Sequence, residues 1–241
     1  MRLRHTVLQL NTRVAELANP KDCRQMDIER LIALHPCLFH MAEAGAWGSI
    51  RHRGLLSASA ILDLSNIVGA DRFRLESGQR VEKEVVTIGR AASIVLRDQK
   101  PMPRNQLLAA LQDGITPEEW YRTINSKVFF WVSQARLECL LNARSYRLLE
   151  HDVLVIDSAP LIRTYADQIR LSPMNSGNTF PMATKRGIDT FSRIENYPAT
   201  KSGSPRKKVV ELVVENSVPD IADYVLEVRR MKGAEVLYRI V

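Results

Sequence analysis

Val209-Val210-Glu211-Leu212-Val213-Val214 is the run on which the reading of this chain turns. Its β-branched residues favour a pleated strand. Alternation along that strand puts Glu211 on one face with Val209 and Val213, and Val210, Leu212 and Val214 on the other. A carboxylate in the middle of a valine strand is costly to bury unless it is paired. Glu211 therefore faces either solvent on an exposed antiparallel face or a polar cleft, and the run alone leaves both open. Glu215 shares its face but lies at the strand's end, where a charge needs no special role.

Outward from this run, other short strands follow the same logic. Val128-Phe129-Phe130-Trp131-Val132 is strongly β-prone, and Ser133 after it caps a helix over Gln134–Leu141. At least two of its three rings are expected in the core, and one turned into a cleft could stack on a planar ligand. Cys37–Met41 is extended, with Phe39 and Met41 on one side and His40 on the other. His40 is thus either a satisfied structural histidine or a ligand-facing one. Ile94–Leu96 runs into Arg97-Asp98-Gln99, which is either a strand-end turn with a local ion pair or a cluster using Arg97 to clamp phosphate. Val153–Ile156 and Glu235–Ile240 complete the expected strands.

Helices are expected over Val7–Leu17, ended by Asn19-Pro20, and over Asp27–Leu34 with Asp27 as cap, stopped by His35-Pro36. One or two turns around Trp47 and Ile50 close at Gly54, and Ser57 caps a helix to about Leu64. Asn105–Leu111 and Pro117–Ile124 follow; the second carries Thr116 and Glu119 in capping-box spacing. Val218-Pro219-Asp220 is expected to open a helix to about Val228. Residues 69 to 85 read as a loop or exposed helix. Residues 172–205, rich in Ser, Asn, Gly, Pro and Thr, read as disordered or as a functional loop with only short ordered pieces such as Ile188–Ile194, and mobility is expected over Lys201–Lys208. Short strands alternating irregularly with short helices make the fold class α+β.

The composition agrees with one packed domain and an appendage. At 241 residues and roughly 150 per domain, the chain suits a main domain over 36–241 and an N-terminal helical appendage over 1–35. The 45% hydrophobic content excludes a wholly disordered chain. No apolar run approaches the roughly 18 residues that cross a bilayer, so no membrane association is expected. The start lacks the apolar core of a secretory signal, and Cys23, Cys37 and Cys139 form no C-x-x-C pair. A cytoplasmic location follows as an expectation. The net charge of +7 suits a polyanionic partner or simply keeps the protein soluble.

Several chemistries are missing. The sequence has neither G-x-G-x-x-G nor G-x-x-x-x-G-K-[ST], and lacks H-E-x-x-H, G-x-S-x-G and the zinc-deaminase pattern. His5, His35, His40, His52 and His151 stand at no metal-ligand spacing, so no metal is expected.

Leu38-Phe39-His40-Met41, then Trp47-Gly48-Ser49-Ile50 and Arg53-Gly54-Leu55-Leu56-Ser57, resembles the opening of ADP-ribosyltransferase-fold proteins: a strand with a histidine, a short helix and a Gly-Leu turn. Val209–Val214 followed by Ser217-Val218-Pro219-Asp220-Ile221 is similar to the glutamate strand of the DarT-type nucleic-acid ADP-ribosyltransferases. Val128–Trp131 with Ser133 and Ala135 sits where that fold has its middle strand and helix. Residues 36–228 also look like an uncharacterised bacterial family, through Arg97–Met102, Phe129-Phe130-Trp131 and Asn175-Ser176-Gly177.

The resemblance implies a split β-sheet core of short strands flanked by short helices, with NAD⁺ as donor substrate and DNA or RNA as acceptor. It implies Glu211 as the catalytic residue, stabilising the cationic ribosyl transition state. It further implies His40, Arg97, Phe130, Trp131 and Ser57 as NAD-binding residues, with His40 on the ribose hydroxyls, Arg97 on the pyrophosphate and an aromatic beside nicotinamide. An antitoxin is an implied further partner. A non-catalytic nucleotide- or nucleic-acid-binding module and an NAD glycohydrolase are the alternatives on the same fold. The sequence departs from the family pattern where Phe129-Phe130-Trp131 replaces a tyrosine common among relatives, and where Val209 replaces the Glu or Gln of the arginine-modifying branch. The second departure fits the DarT-like branch or an inactive relative. The Gly-His-Ser run of the tRNA 2′-phosphotransferases is absent.

Overall fold

The computed structural model describes residues 26–89, 92–180 and 183–241. The helix expected over Val7–Leu17 lies outside them. In chain order the described elements are α1 (Ile28–Leu34), β1 (Cys37–Glu43), α2 (Trp47–Arg53), β2 (Leu55–Leu56), α3 (Ala58–Leu64), α4 (Gly69–Ser77), β3 (Glu84–Ile88), β4 (Ala92–Leu96), α5 (Arg104–Ala110) and α6 (Pro117–Asn125). They continue as β5 (Lys127–Trp131), α7 (Gln134–Leu141), β6 (Glu150–Asp157), α8 (Ser158–Tyr165), β7 (Ile169–Ser172), β8 (Ser192–Arg193), β9 (Glu211–Glu215), β10 (Ser217–Val218), β11 (Val225–Lys232) and β12 (Glu235–Arg239). The mixture is α+β, as the irregular alternation implies.

Capping chemistry sets several of these boundaries. Asp27 accepts from the Glu29 amide, Ser57 from Ala60, and Thr116 with Glu119 forms a reciprocal capping box. Ser133 stands at the N-cap of α7 without a side-chain bond to it. Gly54 closes α2 at φ +81°, and an added Cβ would lie 2.8 Å from the carbonyl oxygens of both Val218 and Pro219. Only glycine fits that crossing.

One antiparallel sheet runs in the order β12-β11-β6-β1-β5-β9-β7-β8. β1 lies along β6 from Cys37 opposite Asp157 to Glu43 opposite His151, and β5 along β9 from Lys127 opposite Glu215 to Trp131 opposite Glu211. Between β1 and β5 the register holds at one position, Phe39 opposite Trp131. The sheet therefore opens between two well-paired halves. β2 pairs with β10 and ties the segment after β1 to the segment after β9.

One sheet face carries Leu38, Phe130, Leu154, Ile156 and Leu212 into the main core, joined by Leu161 and Ile162 of α8. Leu31 of α1 is buried in the same core, so α1 packs with the domain that follows it. The other face buries Phe39, Met41, Val153 and Val155 under Leu137 and Leu141 of α7. Two satellite clusters sit under α3, α4 and the β3–β4 hairpin, and under α5 and α6. Among the described residues no helix is long and apolar enough to cross a membrane.

Two expectations change here. The helix expected from Val218 to about Val228 is only a 3-10 turn over Ile221–Tyr224, and the chain then enters β11. β11 supplies the second neighbour of β6, whose outer backbone groups would otherwise be unpaired. In the described parts of residues 172–205, order extends beyond the short piece expected around Ile188–Ile194. They include β8, the 3-10 turn Ile188–Thr190 and the fully buried Ser176, Thr179 and Thr190 or nearly so. Even the basic end is turned back on itself, with the Thr200 amide donating to the Ser204 carbonyl at 2.7 Å and Arg206 Nε to the Ala199 carbonyl at 3.1 Å. β3, α8 and β7 had no counterpart among the expected elements.

Candidate active-site cleft

A cleft of about 1070 Å³ opens where the two half-sheets part. His40, Ser57, Arg97, Phe130, Trp131 and Glu211 all line it, so the structure gathers every residue singled out from sequence at one place.

His40 spans the opening itself. Beyond Phe39 the ladder between β1 and β5 stops, and His40 donates its Nδ1–H to the Phe129 carbonyl at 2.8 Å. A carbonyl oxygen only accepts, so the neutral ring carries its proton on Nδ1 and presents Nε2 as an acceptor. Burial, with the Arg97 guanidinium adding to it, pushes the imidazole down to about 4 against the opposing pull of the Phe129 bond. His40 is neutral at pH 7. Its ring leans on Phe130 at 5.9 Å between centroids, and Phe130 is itself core.

Trp131 lies opposite Glu211 across the β5–β9 ladder, and directly opposed residues share a face. Trp131 is half-buried, while the Phe129 ring packs edge-on against Phe191.

Glu211 is 3% exposed, which decides between the two faces left open by its strand: it is buried. One oxygen, Oε2, accepts both the Ser176 amide at 3.1 Å and the Ser176 hydroxyl at 2.7 Å. Oε1 has no hydrogen-bond partner among the described residues. Burial pushes the carboxyl up to about 7, against the lowering effects of the two Ser176 bonds and the positive charges of Arg186 and Arg136. Near neutral pH it is therefore poised between its charged and neutral forms.

Arg97 donates from Nη1 to the Met41 carbonyl at 3.3 Å, and its guanidinium lies 4.9 Å over the Tyr146 ring. Gln99, two residues on, is buried and lines the cleft; its Oε1 accepts from the Arg80 amide and its Nε2–H donates to Asn125 Oδ1. Ser57 spends one oxygen lone pair on its cap at 3.1 Å, which leaves its hydroxyl proton for another partner. Arg53, Arg80, Arg97, Lys100, Lys127, Arg136 and Arg144 line the cleft against Glu43, Asp98 and Glu211, so its balance is positive. That charge suits an anionic ligand.

Sequence reasoning missed the partners of Glu211. Ser176 was part of the run Asn175-Ser176-Gly177, but nothing local ties it to a strand 35 residues away. Arg186 sits beside Lys185 and reads as surface charge, yet it is 1% exposed. Among the described residues no three His, Cys, Asp or Glu side chains are grouped to hold a metal ion.

A family model matches residues 36–225, and its description is a family of unknown function, DUF7002. The chain belongs to the DUF7002 family. The match runs from Pro36, at the entry to β1, to Val225, at the start of β11, so the DUF7002 region includes both walls of the cleft and every cleft residue named above. No curated protein and no solved structure matches the chain significantly.

Proposed function

We propose that the cleft binds NAD⁺ and that the protein transfers its ADP-ribose to DNA or RNA, on an ADP-ribosyltransferase-like split sheet close to the DarT type. The observation that carries this reading is Glu211: a buried carboxyl with one oxygen held and the other free, in a positively balanced cleft shared with a neutral histidine. The volume, slightly above the usual small-molecule range of about 300–1,000 Å³, accommodates a dinucleotide.

In this mechanism His40 Nε2 accepts from a ribose hydroxyl, Arg97 pairs with the pyrophosphate, Trp131 and Ser57 complete the donor site, and Phe130, a core ring, backs the His40 imidazole. The bond between nicotinamide nitrogen and the ribose anomeric carbon breaks, and its electron pair leaves with neutral nicotinamide. Positive charge develops on the ribosyl ring next to the Glu211 carboxylate, which stabilises it as a fixed charge in a water-poor site. The acceptor's oxygen or nitrogen forms the new bond and gives its proton to Glu211. Because the carboxylate is the working form, turnover rises as pH passes upward through about 7.

Incubation with NAD⁺ labelled in the ADP-ribose moiety, with DNA and RNA in separate reactions, tests this. Nicotinamide release with label on the nucleic acid is expected. Absence of both overturns the reading. Nicotinamide release without macromolecular label would instead identify an NAD glycohydrolase, and salt-dependent nucleic-acid binding without release a binding module.

A further inference from the structure

Ser176 is gripped from both sides. Its amide and hydroxyl both donate to Oε2 of Glu211, at 3.1 and 2.7 Å. Its carbonyl accepts from Nη1 of Arg186 at 2.7 Å. Arg186 also donates from Nη2 to the Asn178 carbonyl at 2.8 Å and from Nε to the Thr184 carbonyl at 3.1 Å. Among the described residues its three side-chain bonds go to the main-chain oxygens of Ser176, Asn178 and Thr184, and none to a carboxylate.

A buried guanidinium without a bonded counter-charge is expensive. Its opposite charge is Glu211, one residue away through Ser176, and each group favours the charged form of the other. Ser176 and Arg186 are both essentially inaccessible to solvent. Asn175 and Gly177, on either side of Ser176, line the cleft wall. The same segment thus lines the cleft and holds one of the two Glu211 carboxylate oxygens.

We propose that Ser176 is the positioning residue for Glu211, and that Arg186 clamps the loop so that Ser176 holds Oε2 and leaves Oε1 for the ligand. The proposal rests on the reading of Glu211 as the working carboxylate. Packing alone would require the Arg186 clamp but not the Ser176 hydroxyl, because alanine fills nearly the same space. The hydroxyl bond is stronger to a carboxylate than to a carboxylic acid, so its loss favours the protonated form.

The test is a titration of the full chain carrying ¹³C at glutamate carboxyl carbons, with Glu211→Gln used to assign the signal. Ser176→Ala is expected to raise the Glu211 midpoint by about one pH unit. Ser176→Thr, which keeps the hydroxyl, should return it towards wild type. Arg186→Lys, unable to reach three carbonyls, should move it in the same direction as Ser176→Ala. A folded Ser176→Ala protein with an unchanged midpoint overturns the proposal, whether or not the threonine and lysine variants fold. The titration needs no NAD⁺, so its outcome is separate from that of the transfer assay. In an active wild type, the pH profile of kcat should shift with Ser176→Ala by the same step. A profile that stays in place while the midpoint moves also overturns the positioning role.

Discussion

The two walls of the cleft handle a buried titratable group in opposite ways. On the β1 wall, burial drives His40 to its neutral form, and a single main-chain carbonyl, Phe129, orients it. On the β9 wall, burial also disfavours charge, but Ser176, Arg186 and Arg136 resist it, so Glu211 is left near the middle of its titration at neutral pH. The same desolvation thus settles one group and poises the other. What differs is the surrounding charge: His40 faces a cation that reinforces burial, and Glu211 faces cations that oppose it.

The largest expected effect separates the roles of the two walls. If the proposed transfer holds, Glu211→Gln should lower nicotinamide release by at least about 100-fold in kcat, since it would remove the charge used only in the transition state. On the same reading His40→Asn should cost about tenfold and act mostly on KM, because its proposed role is to orient ligand rather than to stabilise developing charge. Steady-state kinetics at pH 8 decide the matter, and equal losses in kcat would remove the distinction.

Next comes the clasp that joins the walls. Gly54→Ala places a Cβ against Val218 and Pro219 at a positive φ and should destabilise the fold by about 3 kcal/mol in urea denaturation. A cost below about 1 kcal/mol would mean that the β2–β10 pairing gives way easily.

The pH dependence of stability should run in opposite directions for the two groups. The folded value of His40 is lowered, so the unfolded chain binds the extra proton between about pH 6.5 and 4, and stability falls as pH drops through that window. The folded value of Glu211 is raised, so its favourable contribution is complete below about 4.5 and is lost as pH rises through about 7. His40→Asn should therefore lose less stability than wild type on going from pH 7 to 5, and Glu211→Gln less on going from pH 5 to 8. Each difference should be on the order of 2 kcal/mol. Parallel curves for a variant and wild type would show that the group does not carry the shift.

Ser57→Ala should give the smallest change. Loss of the α3 cap costs about 1 kcal/mol, seen as a few degrees in Tm, with the cleft otherwise intact. A fall in NAD⁺ affinity beyond this loss would assign the Ser57 hydroxyl to the ligand as well.

Much of the frame was legible because its signals are local. Asp27, Ser57 and Thr116 cap the helices expected of them, and alternation put His40 opposite Phe39 and Met41 and paired Glu211 with the Val213 face. α8 was missed although its buried Leu161, Ile162 and Tyr165 stand at helical spacing, and β7 because four residues are too few for a pattern; β11 was read as helix because its pairing with β6 cannot be seen from its own residues. Glu211 shows the limit most clearly. Alternation placed Val213 on its face correctly, but Val209 packs in the main core with Leu212 and Val214 because the strand begins only at Glu211, and alternation did not tell whether the face was wet.

The chain's own chemistry therefore determined an α+β fold, the helix starts, the absence of the common nucleotide and hydrolase motifs, and a short set of candidate residues. Only the tertiary structure decided that those candidates share one cleft, that Glu211 is buried, and that Ser176 and Arg186 support it. The reason is range. Caps and alternation act over a few residues and are written in adjacent letters, whereas burial and charge pairing depend on segments that meet only after the sheet has opened between β1 and β5.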